Sequence, residues 1–181
     1  MKIAVLLAGL AIATAGGALA FIYSGIADVA AISPHWALTR WVLATTMERS
    51  VERHSRGITP PASLEDDERI LEGALHYDAM CASCHGAPGV ERGVVGKGLN
   101  PEPPDLARET DDLAPAEIFW VTANGIRMTG MPAFAPTHSD EELWDLVALV
   151  KRLPRMSAAE YRKLLTPRSG GDPGHGRAHA H

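Results

Sequence analysis

Apolar and polar positions fall into three regimes along this chain, and each regime predicts a different kind of element. From Ile3 to Tyr23 no residue is charged and nearly all are apolar, so no polar face interrupts the run. As a helix rising 1.5 Å per residue it would be roughly 31 Å long, close to the thickness of a bilayer's hydrocarbon core. The second regime opens at Ser33-Pro34, which reads as a helix start. From Trp36 onward it sets Leu38, Trp41, Val42, Met47 and Val51 among Arg40, Arg49, Arg53 and Arg56. A basic amphipathic helix with two tryptophans suits a membrane surface or a partner subunit; packing on the chain's own next domain is the plainer alternative. Gly57-Ile58-Thr59-Pro60-Pro61-Ala62 then breaks the pattern and marks a boundary.

The third regime has the periodicity of an all-α globular domain. Ser63-Leu64-Glu65-Asp66 looks like a capped helix start, and Ile70, Leu71, Ala74 and Tyr77 follow at helical spacing. In this reading Gly73 and Tyr77 form the contact with the last helix. From Gly86 to Pro104 glycine and proline dominate, a composition that wraps an object more readily than it builds an element. Pro115 opens a short helix, Ala116 to Ala123. Ser139 and Glu142 form a capping box for another, with Leu143, Trp144, Val147 and Val150 on its buried face and Pro154 at its end. A short helix is expected from Ala158 to Leu165, and a solvated tail from Ser169 to His181. The expected organisation is 1–23 membrane anchor or signal peptide, 24–62 juxtamembrane segment, 63–155 globular domain, and 156–181 short helix and tail.

Charge sharpens this division. Of the chain's 181 residues, those from Ser63 to Arg155 carry 17 acidic against 8 basic side chains, whereas the remainder carries 5 acidic and 9 basic. An acidic domain repels a phosphate backbone, which argues against nucleic acid, and it favours partners with a basic docking surface. Plain solubility would also account for it.

The chemistry lies in Cys81-Ala82-Ser83-Cys84-His85. The chain has two cysteines, so this motif uses them all and leaves none for a disulfide framework or a four-thiolate zinc site. Two thiols three residues apart can each add across a haem vinyl group, and the histidine that follows is then placed at the iron. A redox dithiol is the competing use of such a pair, but strand-helix-strand surroundings are missing and His85 would have no task. Downstream, Asn124-Gly125-Ile126-Arg127-Met128-Thr129-Gly130-Met131-Pro132-Ala133-Phe134 suits an axial sulfur ligand: Gly130 permits close backbone approach and Pro132 stiffens the turn presenting Met131.

With CASCH as an attachment motif and GMPAF as a ligand loop, residues 64 to 154 resemble the class I c-type cytochromes. The resemblance implies one covalent haem c held by Cys81 and Cys84, with His85 as proximal and Met131 as distal iron ligand. Met128 is the rival for the distal position, and His138 would make a bis-histidine site. Met80 reads as packing, and His35 and His54 as surface histidines, since no second CxxCH exists to hold another haem. A histidine and thioether pair fills both axial positions and raises the reduction potential. The implied function is single-electron transfer rather than catalysis, in a chain tethered to a bacterial inner membrane with its haem domain in the periplasm. Cleavage at Ala18-Leu19-Ala20 would instead release a soluble shuttle. A haem enzyme or gas binder with an exchangeable distal ligand, and a structural subunit that docks through residues 24–56 and holds a larger complex together, are the other functions that fit.

Overall fold

The computed structural model describes residues 2–166 and divides into two units, Met1–Trp36 and Ala37–His181. The expected tail from Ser169 onward lies outside the described residues.

In the first unit the apolar run forms helix α1, Lys2–Tyr23. Its 22 residues reach about 33 Å, enough to cross a bilayer core, and none of them is buried within the chain. The helix stops at Tyr23, where the expected span ends. Ser24 turns its hydroxyl back onto the Phe21 carbonyl at 2.7 Å, and Gly25 follows in the left-handed region at φ +68°. Ser33 does not begin a helix either. Its hydroxyl donates to Asp28 Oδ2 at 2.5 Å while Ala30 N–H donates to Oδ1 at 2.9 Å, so both groups serve an Asp-centred turn.

Among the described residues of the second unit the regular elements are all helical, with a single isolated bridge between Ala87 and Val90. Helix α2 spans Ala37–His54, α3 Asp67–Met80, α4 Ala82–His85, α5 Val94–Lys97, α6 Pro115–Asn124, α7 Asp140–Arg152 and α8 Ala158–Leu165. Helix α3 starts three residues later than the Ser63 signature predicts, with Asp66 at the cap. Arg69 claims the Ser63 hydroxyl at 3.1 Å, and Leu64 to Asp66 form a turn off Pro61. Asp67 and Glu68 then occupy the first turn, where the helix dipole favours acids.

Helix α7 is the centre of the core. The Ser139–Glu142 capping box forms as predicted, with Ser139 N–H and Oγ both donating to Glu142 at 2.8 Å. Because α3 and α6 both pack on α7, its buried surface is wider than one stripe and includes Leu146, Ala148 and Leu149 beside the predicted residues. Each such aliphatic side chain contributes about 1.5–3 kcal/mol by leaving water. The α3–α7 crossing is close because of Gly73: a Cβ there would lie 2.0 Å from the Asp145 carbonyl oxygen. Tyr77, buried in the same core, meets Tyr161 of α8 edge-on at 6.4 Å.

Helix α2 ends against α6. Val51 and Ser55 are buried, and the His54 ring stacks on Trp120 at 5.4 Å. Its first half is different: Leu38, Trp41, Val42, Leu43 and Met47 are all exposed. The plainer reading of this helix, packing on its own domain, therefore holds for the last turns only.

Candidate functional site

Helix α3 delivers the chain into the cysteine motif. Cys81 closes it, and the Cys81 carbonyl accepts from both Cys84 N–H at 3.0 Å and His85 N–H at 2.9 Å, which winds the motif into the single turn α4. Gly86 ends the turn at φ +71°, and its carbonyl accepts the buried Tyr77 hydroxyl at 2.7 Å. Helix α5 lies directly on this turn: a Cβ on Gly96 would sit 2.7 Å from the Cys84 carbonyl oxygen, so only glycine admits the approach. Gly93 N–H, donating to the Ser83 carbonyl at 2.8 Å, fixes the same contact.

Both cysteines are half-buried. Burial, and secondarily the neighbouring Cys84, pushes the Cys81 thiol up to about 12, so its sulfur is neutral at ordinary pH. His85 is oriented by the Gly/Pro segment. Its Nδ1 lies 2.9 Å from the Pro104 carbonyl oxygen, and since a carbonyl only accepts, Nδ1 carries the hydrogen and Nε2 keeps its lone pair. Burial lowers the imidazole's pKa, the Pro104 bond opposes that, and Arg92 lowers it further; the direction favours the neutral ring that a metal requires.

The methionine loop is tied at both ends. Ile126 N–H donates to the Met131 carbonyl at 3.2 Å, and Met131 N–H donates to Thr129 Oγ1 at 3.1 Å. Beyond it, Phe134 and Ala135 N–H donate to the Thr122 and Ala123 carbonyls at 3.1 and 3.0 Å, returning the chain to α6. A Cβ on Gly130 would lie 2.6 Å from the Leu99 side chain, so the loop abuts the segment that follows α5. The two methionines differ: Met131 is half-buried, whereas Met128 is 85% exposed with φ +61° at the loop tip. His138 joins a ring cluster, edge-on to Phe134 at 5.5 Å and to His76 at 5.9 Å. Met80 packs against the core, as expected. His35 is exposed, and His54 holds Trp120.

The structure thus places Cys81, Cys84 and His85 on one turn and brings the Met131 loop against the loop system that continues from that turn. Such a residue set fits a haem: two cysteines on one turn, an imidazole with a fixed tautomer and a partly sheltered thioether. The family model described as "Cytochrome C oxidase, cbb3-type, subunit III" matches residues 68–150, from α3 through most of α7. The chain carries a monohaem c-type cytochrome domain. Its cofactor is covalent haem c, its fold is the helical class I cytochrome c arrangement, and its chemistry is electron transfer. None of the curated proteins compared with this cytochrome matches it. Sequence reasoning missed the groups that hold its candidate ligands: the Pro104 carbonyl, Gly96, Leu99 and Thr129. A backbone carbonyl leaves no side-chain signal, and the glycine-rich composition of the wrapping segment was the available hint.

Proposed function

We propose that this chain is a membrane-anchored single-electron carrier in which Cys81 and Cys84 form the thioether links, His85 supplies the proximal nitrogen and Met131 the distal sulfur. The observation that carries the ligand assignment is the contrast between a sheltered Met131, held by Thr129, and an exposed Met128. Bound haem supplies a one-electron iron couple. The residues do the rest: Pro104 holds His85 in the ligating tautomer, and Thr129 and Leu99 restrain the loop presenting Met131. Restrained ligands lower the reorganisation that accompanies a change of charge. The soft Met131 thioether would favour the reduced metal, and with His85 and Met131 both holding the iron, oxygen or peroxide would find no open site.

Lys2–Tyr23 supports tethering, and extracytoplasmic haem attachment supports a periplasmic domain. The matched family's description names an oxidase subunit, which supports delivery of electrons within or to a respiratory complex; the acidic domain supports a basic docking surface on the partner.

The test is spectroscopic. Haem should stay with the polypeptide through acid-acetone extraction, and the oxidised protein should show a near-infrared sulfur-to-iron band. Met131→Leu should abolish that band and admit carbon monoxide, while Met128→Leu should preserve both wild-type properties. Loss of the band in Met128→Leu, or rapid carbon monoxide binding by the wild type, would overturn the assignment. Mass measurement of the mature chain decides between tether and shuttle, since cleavage after Ala20 would remove most of α1.

A further inference from the structure

The first half of α2 is apolar around most of its circumference. Between Ala37 and Met47 Arg40 is the one charged residue, and Leu38, Trp41, Val42 and Leu43 are 69%, 64%, 44% and 47% exposed. At 100° per residue Leu38 and Leu43 stand about 140° apart around the axis, so no single flat partner face covers both. The second half of the same helix is fixed to the haem domain by buried Val51 and Ser55 and by the His54–Trp120 stack at 5.4 Å. One continuous helix therefore joins an unpartnered apolar segment rigidly to the electron-carrying domain.

We infer that residues 37–47 are embedded in the interfacial layer of the bilayer and act as a rigid arm setting the orientation of the haem domain at the membrane. Lipid surrounds a helix on all sides, as this pattern of exposure demands. The segment is about 16 Å long, half a bilayer core, and its Thr39, Thr45, Thr46 and Arg40 suit the headgroup boundary, where arginine reaches water by snorkelling. Tryptophan belongs at that depth as well. Residues 24–36 separate Tyr23 from Ala37 and span at most about 45 Å fully extended, a tether that lets α2 reach the surface from a membrane-spanning α1. That connecting segment exposes Ile26, Val29, Ile32 and Trp36, with Asp28 tied into its own turn by Ala30 and Ser33. The inference rests on the membrane reading of α1 and is independent of the axial ligands.

The test uses the full-length holoprotein in bilayers containing phosphatidylglycerol. Haem attachment consumes both native thiols, so Leu38→Cys, Trp41→Cys or Leu43→Cys each introduces one site for a nitroxide, with exposed Ala159→Cys on α8 as a control. Oxygen should relax the label several-fold more effectively than a water-soluble nickel chelate at all three α2 sites, and less effectively at residue 159. Water-like accessibility at the α2 sites would overturn the inference and leave a protein partner for that segment. Exclusion of both reagents would also overturn it, in favour of contact with a second copy. Ferric haem in stacked, oriented bilayers should give an orientation-dependent magnetic resonance spectrum, lost in Trp41→Ser/Leu43→Ser although α1 still holds the chain in the membrane. An isotropic wild-type spectrum would refute the rigid arm. Haem that came off in acid-acetone would count against the proposed function without altering the accessibility expected at α2.

Discussion

Replacing Gly73 with alanine sets two physical effects against each other. Helix propensity alone predicts that Gly73→Ala in the middle of α3 stabilises the fold by about 1 kcal/mol. The geometry predicts the reverse. The added Cβ would lie 2.0 Å from the Asp145 carbonyl oxygen, 2.6 Å from its carbon and 3.2 Å from Leu149 Cβ. These are mostly backbone atoms of a buried helix with no flexible end to swing aside. Restoring contact at about 3.5 Å requires α3 and α7 to part by roughly 1.5 Å, and a gap of that size forfeits much of the dispersion between their side chains. It also strains the Arg69–Asp145 ion pair, 2.6 Å long and largely sheltered, beside the same contact. A clash this close with backbone atoms belongs at the top of the range of about 1–3 kcal/mol that overpacking costs in well-packed cores, so a net loss of about 2 kcal/mol remains after the propensity gain. Urea unfolding of the holoprotein in detergent, followed by far-ultraviolet circular dichroism, should show a lower midpoint at unchanged slope. Gly98→Ala is the control, because a Cβ there meets nothing nearer than 3.6 Å. A Gly73→Ala midpoint equal to or above wild type would refute the argument that close approach, rather than conformational freedom, accounts for this glycine.

Three further substitutions test separate links. Tyr77→Phe removes the donor to the Gly86 carbonyl and leaves that acceptor buried without it; unfolding measurements should show a loss of about 1–2 kcal/mol with haem retained. Lys151→Met releases three carbonyls, those of Thr110, Asp111 and Leu113 at 3.2, 3.1 and 2.9 Å. Because the ammonium is partly exposed, the expected cost is about 1–2 kcal/mol, and hydrogen exchange should quicken first in residues 110–114. Glu142 is held below the ordinary carboxylate range by the Ser139 backbone and side-chain donors. A depressed folded-state pKa stabilises the fold above the unfolded value near 4 and loses that contribution as pH falls through the folded value. Glu142→Gln keeps an acceptor for the cap but removes the titration, so stability should fall less steeply between about pH 5 and 3 than in wild type; an identical slope would contradict the assignment.

What was legible in the sequence depended on how local the determining physics is. Capping by Ser139 and Glu142 involves neighbours within one turn, as does the winding of Cys81 to His85, so both were readable from residue order. The membrane-length run needed composition alone. Where local signals competed for one side chain, reading failed: Ser63 was taken by Arg69 and Ser33 by Asp28, which moved two helix starts downstream. The division of α2 into a docked and an exposed half was also invisible, because it depends on Trp120, some seventy residues away, arriving beside His54. The choice between Met128 and Met131 has the same character. Their order and flanking proline are sequence properties; which of them is sheltered follows from Gly130 meeting Leu99 and from hydrogen bonds that return the loop to α6.

By itself, then, the chain's order of residues determined an apolar membrane-length helix, a helical acidic domain and the two sulfurs and imidazole of a haem attachment turn, because each depends on groups a few bonds apart. Only the folded structure decided that Pro104 sets the His85 tautomer, that Gly73 admits α7 and that the end of α2 packs on the domain it precedes. These contacts link residues distant in sequence, and their energies arise from shape and burial that exist only once the helices have packed.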